Sequence, residues 1–495
     1  MFSGPLEFKQ RVHIDKMYGF IRKALAGAIA YLAIMAMVGT CLLMSNSISG
    51  IETWPNRIAA IGMSLLLIWG AWIYRYKTIR YLAAASEYLN QFSTGRWTLW
   101  MLVTGVFLRI AWVSLFHAIP ASDGTTYLEL AKQLSTGDGY HMGGTFAYWP
   151  PGYPLFLTVW VWLFDESRIA WILPNILLFC TTGLGVWKLG SKYLNPGATN
   201  LAVSFVAIWP GYVTLVATPE KENLLIGLIP WLIIAWLSSL RSYRIFAVIA
   251  GVMLGFMDLT QPACLLLPVV LFISGTLLQV RLYRVIQLTV LLLIGVVVVI
   301  GPWTVRNYQV LGVPILVSTN GGSGLYRANN TLATGGYTQR GEVDLSGLDE
   351  VSADREGRRL AIKWIIEHPS AFLSLAIGKQ LLFLGDDAGG IYTTLRRGLV
   401  TDPMLYAIVK TLANIMWVTF WLAILSCITV CWRCSTVCDT LFITIAMVTL
   451  YFFALHSVFE SNGKYHQILW PLFPFLLLSI VPSSMVNQME PDSGP

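Results

Sequence analysis

Charge is scarce in this chain. Only 12% of its 495 residues are Asp, Glu, Lys or Arg, against 56% hydrophobic, and mean hydropathy is +0.64. A soluble domain of this length has no use for so much apolar surface, so the sequence reads as an all-α polytopic membrane protein. Histidine is rarer, with six copies and no His-and-carboxylate set at ligand spacing. No cofactor or metal is therefore called for, and a divalent cation has no specific support. Cysteine numbers seven and gives little support to a disulfide framework, since Cys41, Cys180, Cys264 and Cys427 fall within apolar runs. Cys431, Cys434 and Cys438 cluster at the end of a run without a neighbouring His, and read as reduced thiols. The chain also lacks internal repeats and a small-x-small site closing its first apolar run, which reads as a retained anchor.

Long apolar stretches are abundant. Runs near 24–44, 58–74, 98–117, 169–187, 198–217, 223–240, 245–259, 263–280, 285–303, 405–431, 440–458 and 468–481 predict about twelve spans. Basic residues resist translocation and mark the cytoplasmic loops. Lys9, Arg11, Lys16, Arg22 and Lys23 precede the first run, and Arg75, Lys77, Arg80 and Arg96 follow the second. Lys188 with Lys192, Arg241 with Arg244, Arg281 with Arg284, and Arg433 keep the same alternation. Both termini are expected in the cytoplasm, and residue 123 on the opposite face. The net charge of +7 is mostly this topological signal, so no nucleic-acid partner is expected.

Two regions interrupt the pattern. Region 119–168 holds a short amphipathic helix over 127–134, capped by Thr125 or Thr126, and an apolar stretch over 155–164 too short to cross a bilayer. Region 304–403 collects turn residues, clusters charge between Arg340 and Arg359, and carries a helix interrupted near Pro369. The expected organisation is two accessory helices over 1–97, a catalytic membrane core over 98–303 with external loop 119–168, a small soluble external cap over 304–403, and terminal helices over 404–495.

The most telling residues follow the third run: Ser122-Asp123-Gly124-Thr125-Thr126-Tyr127, then Gly137-Asp138-Gly139-Tyr140-His141, then Tyr148-Trp149-Pro150-Pro151-Gly152-Tyr153-Pro154. Further on stand Lys221-Glu222-Asn223-Leu224, Pro302-Trp303-Thr304-Val305-Arg306-Asn307, Ser318-Thr319-Asn320-Gly321-Gly322 and Lys464-Tyr465. Together these resemble superfamily C glycosyltransferases, with family 39, the protein O-mannosyltransferases and the lipid A aminoarabinose transferase as relatives. The likeness covers about 98–481. It departs at three positions: Gly124 stands where relatives often carry a second acid, Gln261 where they carry Arg before Pro, and Lys464 where they carry Arg before Tyr.

The resemblance implies transfer of a sugar from a polyprenyl-phosphate donor to an acceptor on the extracytoplasmic face, with inversion. Its acceptor would be a lipid-linked glycan, a lipopolysaccharide, an exopolysaccharide or a protein, and its location the bacterial inner membrane. Asp123 would take the acceptor proton as general base, unless it merely caps the following helix. Glu222 would orient Asp123, the acceptor or a cation, with Glu220 as its substitute, or simply sit on a helix dipole. The departing phosphate needs fixed positive charge, for which Arg306, Lys464, Arg327 and Lys221 are candidates, with Tyr465 and His466 as neighbours. Tyr127, Tyr140, His141, Trp149, Tyr153, Glu220, Asn320 and His466 are candidate contacts to sugar, acceptor or lipid. Arg109, inside a span, is expected to pair with Asp258 as a structural ion pair. A lipid or solute transporter, and a non-catalytic subunit of a glycan assembly system, are the competing readings.

Overall fold

A computed structural model describes residues 5–49, 54–338, 341–399, 401–432 and 439–480. Arg340, Arg433, Cys434, Cys438 and the tail 489–495 lie outside the described residues, as do the side chains of Lys9, Arg11, Lys16 and Cys431. Within them the regular structure is helical, with one isolated β-bridge between Met142 and Thr145.

Eight helices are long and apolar enough to cross a bilayer: Gly19–Ser45, Trp54–Asn90, Thr94–Leu115, Ile169–Tyr193, Glu222–Arg241, Leu282–Leu311, Pro403–Val430 and Thr440–Val458. The other four expected spans are shorter. Run 198–217 breaks at Trp209 into Pro196–Ile208 and Pro210–Leu215, since Pro210 lacks the N–H that would continue the first helix. Ile245–Thr260 has 16 residues, about 24 Å of rise, and run 263–280 becomes Pro262–Cys264 and Leu267–Leu277. Run 468–481 becomes a 3₁₀ segment, Gly463–Leu469, followed by Phe473–Leu478. Each of these pieces turns one face into the bundle, where Ala202, Leu254, Leu271 and Phe475 have no exposed surface, while Ile245, Phe256 and Val269 stay exposed on the outside.

Glu350–Glu367 and Pro369–Leu384 meet at 109°, a bend that follows from Pro369. The first half packs against Gly321–Ala328, and the second against Pro5–Ser49 and Asp439–Val458. That second contact is backbone-close: a Cβ on Gly39 would lie 2.4 Å from the carbonyl oxygen of Leu381. Region 304–403 therefore joins a polar part to a helix embedded among the spans.

Arg109 corrects an expectation. Its guanidinium donates to the carbonyls of Gly105 (3.0 Å) and Ala207 (3.1 Å) and lies 3.5 Å from the Phe179 ring centroid. No ion pair with Asp258 forms, and both Asp258 carboxylate oxygens are buried without a hydrogen-bond partner. The Gly105 carbonyl of its own helix, the Ala207 carbonyl beside the Trp209 break and an aromatic face hold the cation instead.

The ends of the bundle differ in chemistry. Lys192 donates to Ser238 (2.9 Å), Arg241 lies over Tyr193 (4.7 Å) and Arg284 donates to the Ser239 carbonyl (3.4 Å), so three of the basic loops gather at one end. Helix Glu222–Arg241 runs 20 residues from that end to the acids at the other, about 30 Å away.

Candidate active site

Ala121, Ser122, Asp123 and Gly124 form a tight turn closed by Gly124 N–H donating to the Ala121 carbonyl at 3.2 Å. Ser122 sits at φ 54°, ψ −125°, a conformation that costs a non-glycine residue about 1–3 kcal/mol. The turn starts helix Asp123–Thr136 at Asp123 itself, so Ser122 holds the cap position and Thr125 and Thr126 lie inside the helix. No side-chain capping bond forms there. The Asp123 carboxylate is thus left for other partners.

Its partner is Lys464, 341 positions away. The ammonium lies 3.4 Å from Asp123 Oδ2, 2.7 Å from Glu220 Oε2 and 3.7 Å from Glu222 Oε2. The side chains are exposed by 34% for Asp123, 13% for Glu220 and 5% for Glu222, so the aspartate stands at the mouth of the cluster and Glu222 at its floor. Burial favours the protonated form of Asp123, but Lys464 and Lys221 outweigh it and hold the carboxyl below its ordinary value of 3.8. Lys464 is pulled the other way: burial alone would lower its value, and Glu220, Glu222 and Asp123 together raise it well above 10.5. Both groups are therefore charged at neutral pH.

Gly124 has a steric reason for its size. A Cβ there would meet Pro219 Cγ at 3.1 Å, just before Glu220.

The aromatic candidates divide by burial. Tyr127 and Tyr153 are 1% and 0% exposed and pack edge to face at 5.4 Å, so they wall the cluster and present no open surface to a sugar. Tyr140 is also buried; its hydroxyl donates to the Trp149 carbonyl at 2.9 Å, and its ring meets Trp303 at 5.0 Å. Trp149 and Tyr148 remain partly exposed, and His141 is exposed on the loop with its backbone N–H donating to Gln133. Asn320 precedes helix Gly321–Ala328, its side chain accepting from Ser318 at 3.0 Å.

The four cation candidates have separate fates. Arg306 donates to the carbonyls of Phe146 (2.6 Å) and Tyr140 (2.8 Å) and to Asn307 (3.0 Å), with Trp303 4.7 Å away. It braces the aromatic loop, and its donors are taken. Glu350 grips the same loop from the other side, accepting from the backbone N–H of Phe146 (2.8 Å) and Ala147 (3.1 Å) and from Thr319 Oγ1 (2.8 Å). Lys464 is engaged by the acids. Arg327 keeps capacity: Nη1 reaches the Tyr148 hydroxyl at only 3.4 Å, and Nε is buried without a partner. Lys221 is half-buried and near enough to Asp123 to lower its pKa.

Tyr465 donates to Glu460 at 2.7 Å and stacks on His456 at 4.4 Å. His466 is a second correction, being 0% exposed and facing no cleft. Its Nε2 lies 2.9 Å from Asp387 Oδ1 and its Nδ1 2.5 Å from the Phe383 carbonyl. Asp387 also accepts from Trp470 (2.8 Å) and Trp209 (2.7 Å). A ring with carbonyl on one side and carboxylate on the other, stacked on Trp417 at 4.6 Å, is a structural knot.

Residues 149–304 match the family model described as dolichyl-phosphate-mannose-protein mannosyltransferase. No curated protein matches. Among solved structures, ArnT from Cupriavidus metallidurans bound to undecaprenyl phosphate is similar at 11% identity, covering 78% of each chain, with a TM-score of 0.39. The Archaeoglobus fulgidus oligosaccharyltransferase tethered with an acceptor peptide is similar at 12% identity, covering 79% of this chain and 55% of that one, with a TM-score of 0.32.

The matched segment contains Trp149, Tyr153, Lys221, Glu220 and Glu222 but neither Asp123 nor Lys464. Those two, already candidates in the sequence, are brought to the acids by the fold. Sequence reading missed Asp387, Glu350 and Glu460; their one available signal was rarity, since acids are few in an apolar chain.

Proposed function

We propose that this protein is an integral membrane glycosyltransferase that moves one sugar from a polyprenyl-phosphate carrier to an acceptor hydroxyl at the extracytoplasmic surface. The observation that carries the reading is Asp123: an ionised, partly exposed carboxylate at the mouth of a buried acid and lysine cluster, opposite the basic end of the bundle. The acceptor O–H gives its proton to Asp123 as its oxygen bonds to C1, and the bond from C1 to the phosphate oxygen breaks from the opposite face. Configuration at C1 inverts. General-base help of this kind is worth about 10²–10⁴-fold in rate. The departing phosphate monoester is received by Arg327 and Lys221, the two candidate cations whose donors are not spent on protein carbonyls or acids. Tyr148 and Trp149, still partly open, suit the sugar or the first prenyl units.

The positive-inside pattern supports cytoplasmic termini and a bacterial inner membrane, with 1–97 as accessory helices and 304–403 as cover for the site. Incubation of purified protein with a radiolabelled polyprenyl-phosphate sugar and candidate acceptors tests the reading. A new glycoside from wild type, absent with Asp123→Asn, is the expected result; turnover retained by that variant removes Asp123 as the base.

A further inference from the structure

Three carboxylates meet at one point, yet the transfer proposed above uses only one of them directly. Oxygens of Asp123, Glu220 and Glu222 surround Lys464 Nζ at 3.4, 2.7 and 3.7 Å. Such a group of like charges, sheltered from water, is held together by a shared proton or by a cation, and here the ammonium of Lys464 stands among them. The ordinary solution is a free divalent ion with carboxylate oxygens at about 2.0–2.6 Å. Here the spacing is wider: Glu220 at 2.7 Å makes an ordinary N–H hydrogen bond, Asp123 at 3.4 Å a long one, and Glu222 at 3.7 Å is held by charge alone. Unfilled polar capacity surrounds the same point. Glu222 Oε2 is buried without a hydrogen-bond partner, and so are the hydroxyls of Tyr127 and Tyr153.

We propose that Lys464 is a tethered cation: its ammonium takes the position a divalent metal ion would occupy among Asp123, Glu220 and Glu222, and so positions the base. The side chain comes from the distant Gly463–Leu469 segment, whose next residue but one, His466, is locked to Asp387 and Phe383. That knot fixes the root of Lys464 and makes the ammonium a built-in part of the site. A covalently attached cation stays at saturating local concentration and cannot be chelated away. The role as positioning residue rests on the glycosyltransferase reading, whereas the replacement of a metal by an ammonium rests on the geometry alone.

The test uses full-length protein in detergent with Mn²⁺ alone as the probe, followed by electron paramagnetic resonance. Lys464→Ala is expected to bind one Mn²⁺ at least tenfold more tightly than wild type, and Lys464→Arg, which keeps a cation, is expected to show no gain. Adding Glu220→Gln to Lys464→Ala should remove the gain. Equal Mn²⁺ binding by wild type and Lys464→Ala, or a gain that survives Glu220→Gln, overturns the proposal. If Lys464→Ala does not fold alone, Mn²⁺ in the purification buffer should recover a monodisperse protein; no recovery also overturns it. In transfer assays, Lys464→Ala should lose kcat with the donor KM held, and Mn²⁺ should restore at least tenfold. Wild type that transfers no sugar, beside the expected Mn²⁺ binding, would sink the proposed reaction and leave the tethered cation standing.

Discussion

Lys464 and His466 stand two residues apart and face acids in two different ways. Lys464 meets three carboxylates that have room to spare, one of them a third exposed. His466 meets one carboxylate, Asp387, whose oxygens accept from Trp470 and Trp209 and lie 2.9 Å from His466 Nε2 in full burial. Excess acid around one cation leaves a base that can still accept a proton. A saturated acid among donors leaves only rigidity. One short segment thus carries chemistry on one side and anchorage on the other, and the comparison separates a site from a brace better than residue type does.

The sharpest way to break that comparison is to remove one acid from each side. Asp387→Ala strands two buried indole donors and the His466 ring and is expected to cost about 3–5 kcal/mol, seen as a lower thermal midpoint or loss of monodisperse protein. Asp123→Asn is expected to leave the midpoint nearly unchanged while transfer falls by about 10²–10⁴-fold. Should Asp387→Ala keep its fold and lose only activity, the two clusters would not differ as described.

A smaller effect tests the division among the arginines. Arg327→Ala is expected to raise the donor KM about tenfold, near 1.4 kcal/mol, with a lesser change in kcat. Arg306→Ala, by freeing the loop held at Tyr140 and Phe146, should lower kcat and raise KM together. Steady-state kinetics on both variants checks the contrast.

The response to pH sharpens the open cluster. Asp123 has a folded-state value below 3.8, so its stabilisation is present above that pH and is lost as pH falls through the lower value. Lys464 has a folded-state value above 10.5, so its share is present below that pH and is lost as pH rises through the higher one. Asp123 and Lys464 should therefore contribute a flat thermal midpoint between about pH 5 and pH 9. A steep change within that window traced to Asp123, by its absence in Asp123→Asn, would contradict the pairing.

The smallest expected change concerns the turn. Ser122→Gly removes the φ 54° penalty and should raise stability by about 1 kcal/mol, visible as a modest rise in midpoint.

Much of this molecule was legible before folding. Apolar runs longer than a bilayer needs announced the membrane class, and the Pro369 break and the short helix after Pro151 were read where they occur. The span count was less legible, because hydropathy does not distinguish a lipid-crossing helix from a short one buried among its neighbours, such as Pro196–Ile208 or Ile245–Thr260. Asp123, Glu220, Glu222 and Lys464 were each singled out, but their convergence was not.

Composition determined by itself that the protein is built of apolar helices long enough for a bilayer, and the motif around Asp123 raised the expectation that its polar chemistry gathers at one surface. Those are properties of transfer free energy and local turns, which act over a few residues. Only the tertiary structure decided that Arg306 braces a loop, that His466 is locked to Asp387, and that one lysine answers three acids. Such outcomes depend on which distant groups compete for the same donor within about 3 Å, and no spacing along the chain encodes that distance.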